Sequence, residues 1–160
     1  MNEVMRQEKK YAINLADGSY LRARLGGVMI QDAHNGASGY AIRSLYFDTL
    51  DDQDFKEKID GLELRRKVRL RIYSPDADSA KLEIKQKQGP YQKKRSLQIT
   101  REDALLLCQG NYSPLLRYRD PFAAECYGLM TCRCYRPKAI VEYRRQAYIA
   151  KENQIRLTLD

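Results

Sequence analysis

Lys67, Arg69 and Arg71 stand at alternate positions of one segment, and Lys81, Glu83, Lys85 and Lys87 at alternate positions of the next. A period of two places such residues on one face of a β-strand. Like charges on neighbouring strands repel, and a bound polyanion relieves that repulsion. Arginine adds a planar fork that grips phosphate oxygens in pairs. The pattern therefore points to anion binding, with phosphates, nucleic acid and acidic membrane surfaces as candidate partners. The competing reading is a face that is merely wetted by solvent. Carboxylates are interleaved with the bases: Glu8 lies two residues from Lys10, and Glu83 lies between Lys81 and Lys85. They could hold a divalent cation, Mg2+ or Mn2+, whose other ligands are phosphate oxygens and water, or they could be counter-ions to the lysines.

Other chemistries find little support. The only histidine, His34, lies in a turn-like Asp32-Ala33-His34-Asn35-Gly36 stretch, which leaves no good base for a nucleophilic Ser or Cys. Cys108, Cys126, Cys132 and Cys134 form no CxxC pair, so a zinc site or a disulfide framework is not expected. The phosphate-loop and dinucleotide patterns GxxxxGK[ST] and GxGxxG are absent. Tyr40, Tyr46, Tyr73, Tyr91, Tyr143 and Tyr148 fall in strand-like segments and could act as stacking platforms. No helix is basic enough to read a groove, so nucleic acid is an unlikely partner.

The positive charge has one location. Residues 61–101 hold 12 Lys or Arg and 4 Asp or Glu, and the rest of the 160-residue chain is balanced at 17 of each. The surplus sits in strand-like segments and thus belongs to a folded surface or cavity. The length suits one domain, residues 1–160. No run of 18 apolar residues spans a bilayer, and the N-terminus lacks the apolar stretch of a secretory signal, so a cytoplasmic location is expected.

Strands are expected over 6–13, 40–48, 62–73, 80–87, 91–99, 138–149 and 154–160, with turns at Ser74–Asp78 and Gly89-Pro90. Helices are expected over 14–30 with a stop at Gly26-Gly27, from Thr49 to Gly61 with Thr49 or Asp51 as cap, and after the Thr100–Asp103 capping box. Further helical turns fall within 112–134, broken at Pro114 and Pro121. The expected class is α+β with a dominant antiparallel sheet.

An ordered set of segments carries a resemblance. They are Glu8-Lys9-Lys10-Tyr11, Arg43–Thr49 (RSLYFDT), Ile59-Asp60-Gly61, Arg66–Tyr73 (RKVRLRIY), Leu82–Lys87 (LEIKQK), Lys93-Lys94-Arg95, Val141–Tyr148 (VEYRRQAY) and Ile155–Asp160 (IRLTLD). Together they resemble the polyphosphate polymerase (VTC) domain of the triphosphate tunnel metalloenzyme superfamily. The resemblance implies an antiparallel β-barrel with peripheral helices, whose lumen of Arg and Lys binds triphosphate or polyphosphate with Mn2+ or Mg2+. It implies transfer of the γ-phosphoryl group of ATP or another nucleoside triphosphate to a polyphosphate chain. A non-catalytic phosphate-ligand-binding domain and a triphosphate hydrolase are the alternatives. The hydrolase branch carries Glu-x-Glu-x-Lys at its start, and here Arg6 replaces the first Glu.

The resemblance implies Lys10, Arg43, Arg69, Arg71 and Lys85 as catalytic residues. It implies Tyr143, Arg145 and Arg156 as substrate-binding residues; Lys87, Lys93 and Arg95 of the basic strands are expected to join them, and Glu8 and Glu83, from their spacing among the lysines, are the expected metal ligands. The family's main metal-binding Glu and a later tunnel lysine would lie past Asp160. A barrel lacking its C-terminal strands is therefore expected, and catalysis by the 160-residue chain alone stays open. Open sheet edges near Ile155, Leu157 and Leu159 would favour self-association.

Overall fold

The three alternating segments between residues 64 and 100 form a continuous antiparallel meander, because two tight turns return the chain each time. In the computed structural model, which describes residues 2–153 and 155–160, the strands are β1 (Asn2–Gln7), β2 (Ile30–Gln31), β3 (Tyr40–Asp48), β4 (Leu64–Ile72), β5 (Ser79–Gln88), β6 (Tyr91–Thr100), β7 (Arg136–Ile149) and β8 (Arg156–Leu159). The helices are α1 (Leu15–Val28), α2 (Gln53–Ile59), α3 (Arg101–Cys108) and α4 (Pro121–Cys132), with a 3-10 turn over Ser113–Arg117. Hydrogen-bonded neighbours follow the order β1-β6-β5-β4-β3-β7-β2, with β8 on β7. The class is α+β, with a large antiparallel sheet that is not closed among the described residues.

The chain divides into two units: residues 1–8 with Arg43–Val141, and Lys9–Ile42 with Glu142–Asp160. In the first unit, β5 pairs with β4 and β6, β6 also pairs with β1, and β4 pairs with β3, all antiparallel. One face of this sheet is apolar. Val68, Leu70, Leu82, Ile84 and Ile99 pack there against Leu107 of α3, Leu115 of the 3-10 turn, and Phe122, Cys126 and Met130 of α4. Burying each large side chain contributes about 1.5–3 kcal/mol.

Local chemistry starts the helices. The Thr100 hydroxyl accepts from the Asp103 amide at 3.2 Å, as the capping box predicts. Pro121 occupies the first turn of α4 with Asp120 capping it, and Pro114 opens the 3-10 turn. Both prolines begin elements instead of breaking them, because a first-turn residue has no amide partner to lose. At α2, Asp48 accepts from the amides of Thr49, Asp54 and Phe55 at 2.7–2.9 Å, while the Thr49 hydroxyl takes the Gln53 amide at 3.0 Å.

In the second unit, Asn14 caps α1 through Asp17, and the helix runs through Gly26-Gly27 to Val28. β2 and β8 pair with β7. The buried Asn35 amide clamps Ala147, donating to its carbonyl at 2.7 Å and accepting from its amide at 2.8 Å. Gly39, at φ +80, approaches β7 so closely that a Cβ would lie 2.4 Å from the Arg145 carbonyl oxygen.

Two strand expectations shift. The first strand is Asn2–Gln7, not 6–13. Pairing with β6 ends at Gln7, opposite Tyr91, so the partner strand runs out and Glu8 and Lys10 lie beyond it. The last strand is Arg156–Leu159, and Gln154, the first residue of the expected 154–160 strand, lies outside the described residues. The four cysteines are free thiols.

Candidate functional site

The second face of the first unit's sheet is polar and yet largely buried. Register aligns its residues: Tyr46 pairs with Arg69, Arg69 with Glu83, and Glu83 with Ser96. Ser44 pairs with Arg71, and Arg71 with Lys81. Lys67 pairs with Lys85, and Lys85 with Lys94. Directly paired residues share a face, so six cations from three adjacent strands converge.

Glu83 is the centre of this face and is 1% exposed. The Arg69 Nε donates to its Oε2 at 2.7 Å, and the Arg69 Nη2 lies 2.6 Å from the same oxygen. The Arg71 Nε is 3.9 Å from Oε2 and donates to the Ser44 hydroxyl at 3.4 Å. The Lys94 Nζ is 3.8 Å from the other oxygen. The Tyr46 hydroxyl accepts from Arg69 at 2.9 Å, and its ring lies under the Arg69 guanidinium. Lys85 approaches Glu8, with 4.0 Å between Nζ and Oε2.

The electrostatics follow from burial and charge. Burial works to raise the Glu83 pKa, but Arg69 and Arg71 beside it outweigh that and hold the carboxyl below its usual value. Burial pushes Lys85 down to about 8, helped by Arg69 and Arg71 and opposed by Glu8. Burial also lowers Lys94, against the pull of Glu83. One buried carboxylate thus serves several cations, and the face retains a positive surplus that suits a polyanion.

The sequence-derived residues separate by face and by unit. Arg69, Arg71, Lys85 and Glu83 come together, and Lys87 follows Lys85 on the same side of β5. Arg43 pairs with Ile72 and shares the side of Leu45 and Phe47. Lys93 and Arg95 share the side of Leu97 and Ile99, because they pair with Gln86 and Ile84. There Lys93 meets Glu3 at 2.9 Å, and Arg95 is bonded to Glu125 of α4 and packed over Phe122. The cation on the polar side of β6 is Lys94, which sequence reasoning passed over. Its signal was available: Lys93, Arg95, Leu97 and Ile99 have one parity, and Lys94 and Ser96 the other.

Lys10, Tyr143, Arg145 and Arg156 lie in the second unit. The Arg145 guanidinium takes both Asp160 oxygens at 2.5 Å and lies over the Tyr143 ring. Arg156 meets Asp32 at 2.9 Å and donates to the Tyr40 hydroxyl at 3.1 Å. Lys10 is exposed and outside the strands.

The two carboxylates expected to hold a metal are met by cations in this structure. Both Glu83 oxygens face cations, and Glu8 faces Lys85. Among the described residues, no three His, Cys, Asp or Glu side chains gather in a metal-holding group.

Comparison with known proteins bears on the fold and the family. The family model for the VTC domain matches residues 5–160. No curated protein matches the chain. Among solved structures, the crystal structure of a candidate adenylate cyclase from Bacillus halodurans aligns over 98% of this chain and 75% of that one, with a TM-score of 0.56 and 11% identity. That likeness is one of fold. No helix among the described residues is long and apolar enough to cross a membrane. With the match running from residue 5 to residue 160 and taking in the whole cation-bearing meander, the chain belongs to the VTC domain family.

Proposed function

We propose that this domain handles a phosphate polyanion, and that it serves a phosphotransferase that moves the γ-phosphoryl group of a nucleoside triphosphate to a polyphosphate chain. The observation that carries the reading is the gathering of Arg69, Arg71, Lys85 and Lys94 about the buried carboxylate of Glu83. Phosphoryl transfer asks a protein for position and charge more than for a covalent nucleophile. Arg69 and Arg71 grip non-bridging oxygens of the terminal phosphates. Lys85 and Lys94 offset charge on bridging and leaving oxygens. The terminal phosphate of the acceptor attacks the γ-phosphorus, the β–γ P–O bond breaks, and a nucleoside diphosphate leaves. Arg145, Arg156 and Tyr143 are substrate-binding residues in this proposal. Mn2+ or Mg2+ belongs to it as the ion that accompanies the nucleoside triphosphate, and no step here is assigned to it.

A second reading, a domain that binds polyphosphate without turning it over, gains support from the way Glu83 is engaged by Arg69 and Lys94. One experiment separates the two. The protein is incubated with labelled ATP and Mn2+, and the products are sized on a gel. Long-chain product that disappears in Arg69→Ala supports transfer. Tight polyphosphate binding without product supports the binding domain, and neither result removes both readings.

A further inference from the structure

The polar face of the first unit carries two aromatic residues among those described, Tyr46 and Tyr73, and they are in different states. The Tyr46 hydroxyl is taken by Arg69, whose guanidinium also sits 5.7 Å from its ring centroid. Tyr73 follows β4 directly, continues the Lys67, Arg69, Arg71 parity, and is 43% exposed. The ammonium of Lys81 lies 5.3 Å from its ring centroid. Tyr73 therefore stands at the end of the cation-bearing face, next in parity to Arg71, with the Lys81 ammonium near its ring and part of the side chain open to solvent.

We infer that Tyr73 is a stacking platform for the base of a nucleoside triphosphate whose phosphates lie along Arg71, Arg69 and Lys85, and that it sets a preference for purine nucleotides. The inference deepens the phosphate reading above and rests on it. A π-face is offered to the base, with a cation behind it that strengthens the ring's attraction for a polarisable partner. The base is assigned a ring face and no hydrogen-bonding edge. Stacking strength then ranks ligands, and base-edge identity does not: ATP and GTP bind alike, and both bind better than UTP or CTP. Lys81 holds the ring in place and so acts as a positioning residue, with its own charge available to the α-phosphate.

The test is calorimetric, on the whole chain, with metal-free ATP, UTP and inorganic tripolyphosphate as probes. Wild type is expected to bind ATP more tightly than tripolyphosphate or UTP. Tyr73→Leu is expected to weaken ATP by roughly 5- to 100-fold, the range of one lost base–aromatic stack, and to leave tripolyphosphate within about twofold. Tyr73→Phe is expected to keep ATP affinity. Because tripolyphosphate binding reports an intact cation cluster, a misfolded variant would lose both ligands and be recognised. Equal loss of both ligands in a Tyr73→Leu protein whose far-UV spectrum is unchanged would overturn the stacking role, as would ATP affinity that is unaltered. A wild type that binds tripolyphosphate but prefers no nucleotide would overturn this inference alone. One that binds neither would overturn the phosphate reading as well.

Discussion

Arg69 and Glu83 are direct partners across the β4–β5 ladder, and their side chains meet at 2.7 Å with both groups almost wholly buried. The pair neutralises only part of its surroundings, since Arg71, Lys85 and Lys94 crowd the same carboxylate. Glu83 is thus the internal counter-ion of this cation cluster, and it stabilises the fold.

Glu83→Ala removes that counter-ion and leaves buried guanidinium groups uncompensated. A loss of about 3–5 kcal/mol in folding stability is expected. Inorganic tripolyphosphate should recover part of it, because an anion that binds only the folded state stabilises that state. Urea unfolding with and without tripolyphosphate measures both effects, and equal destabilisation under the two conditions would contradict the role given to Glu83.

The face assignment predicts an asymmetry between adjacent residues of β6. Lys94→Ala removes one charged contact to the ligand and should weaken tripolyphosphate binding by roughly tenfold or more. Arg95→Ala breaks the bond to Glu125 on the helix side, so it should lower stability and leave the affinity nearly unchanged. Titration calorimetry on the two variants settles the register. A reversed outcome would mean that the ligand sits on the other face.

Much of this was legible in the sequence. The β3 bounds, Tyr40–Asp48, and the meander with its two turns follow from alternation and turn residues, because a period of two leaves few alternatives. The convergence of Arg69, Arg71, Lys85 and Glu83 follows from the same parity. Arg43, Lys93 and Arg95 were harder, since a charge near a basic run looks like part of the site until its apolar neighbours of equal parity are counted. The start of the first strand was not legible. Its side chains are all exposed, so no buried pattern marks it, and its extent is set by pairing with β6. The burial of the polar face was also hidden, because a basic strand reads as solvated until a partner layer or a ligand is considered.

Lys85 predicts a pH dependence. Burial depresses its pKa to about 8, so its charge is lost as pH rises through that value. A bound phosphate restores the charge. Metal-free tripolyphosphate should therefore bind with proton uptake near pH 8 to 9, and affinity should fall across that interval. Between pH 8 and the ordinary lysine range near 10.4, the unfolded chain holds the extra proton, so this residue's contribution to the stability of the ligand-free protein rises with pH. Binding heats in buffers of different ionisation enthalpy detect the proton, and Lys85→Arg should abolish it.

Asp54 predicts the opposite slope. Burial, assisted by Asp48, raises its carboxyl to about 6, although the Tyr135 hydroxyl donates to it at 2.9 Å. A raised folded-state pKa gives stability that is complete below the unfolded value of about 4 and is lost as pH rises through 6. Asp54→Asn keeps an acceptor for Tyr135 without the charge. The melting temperature of the variant should exceed that of wild type at pH 8, and its change between pH 5 and 7 should be smaller. A steeper change in the variant would assign the titration to another group.

The parity of β4, β5 and β6 also limits how this family can vary in length. A single inserted or deleted residue inside one of these strands would turn every side chain beyond it to the opposite face, placing leucines on the polar face and arginines in the core. Changes of length are therefore confined to the turns at 74–78 and 89–90 or must come in pairs within a strand. Homologous sequences should diverge freely in residue type on the exposed positions while keeping the same count of residues from Arg69 to Arg71 and from Glu83 to Lys94.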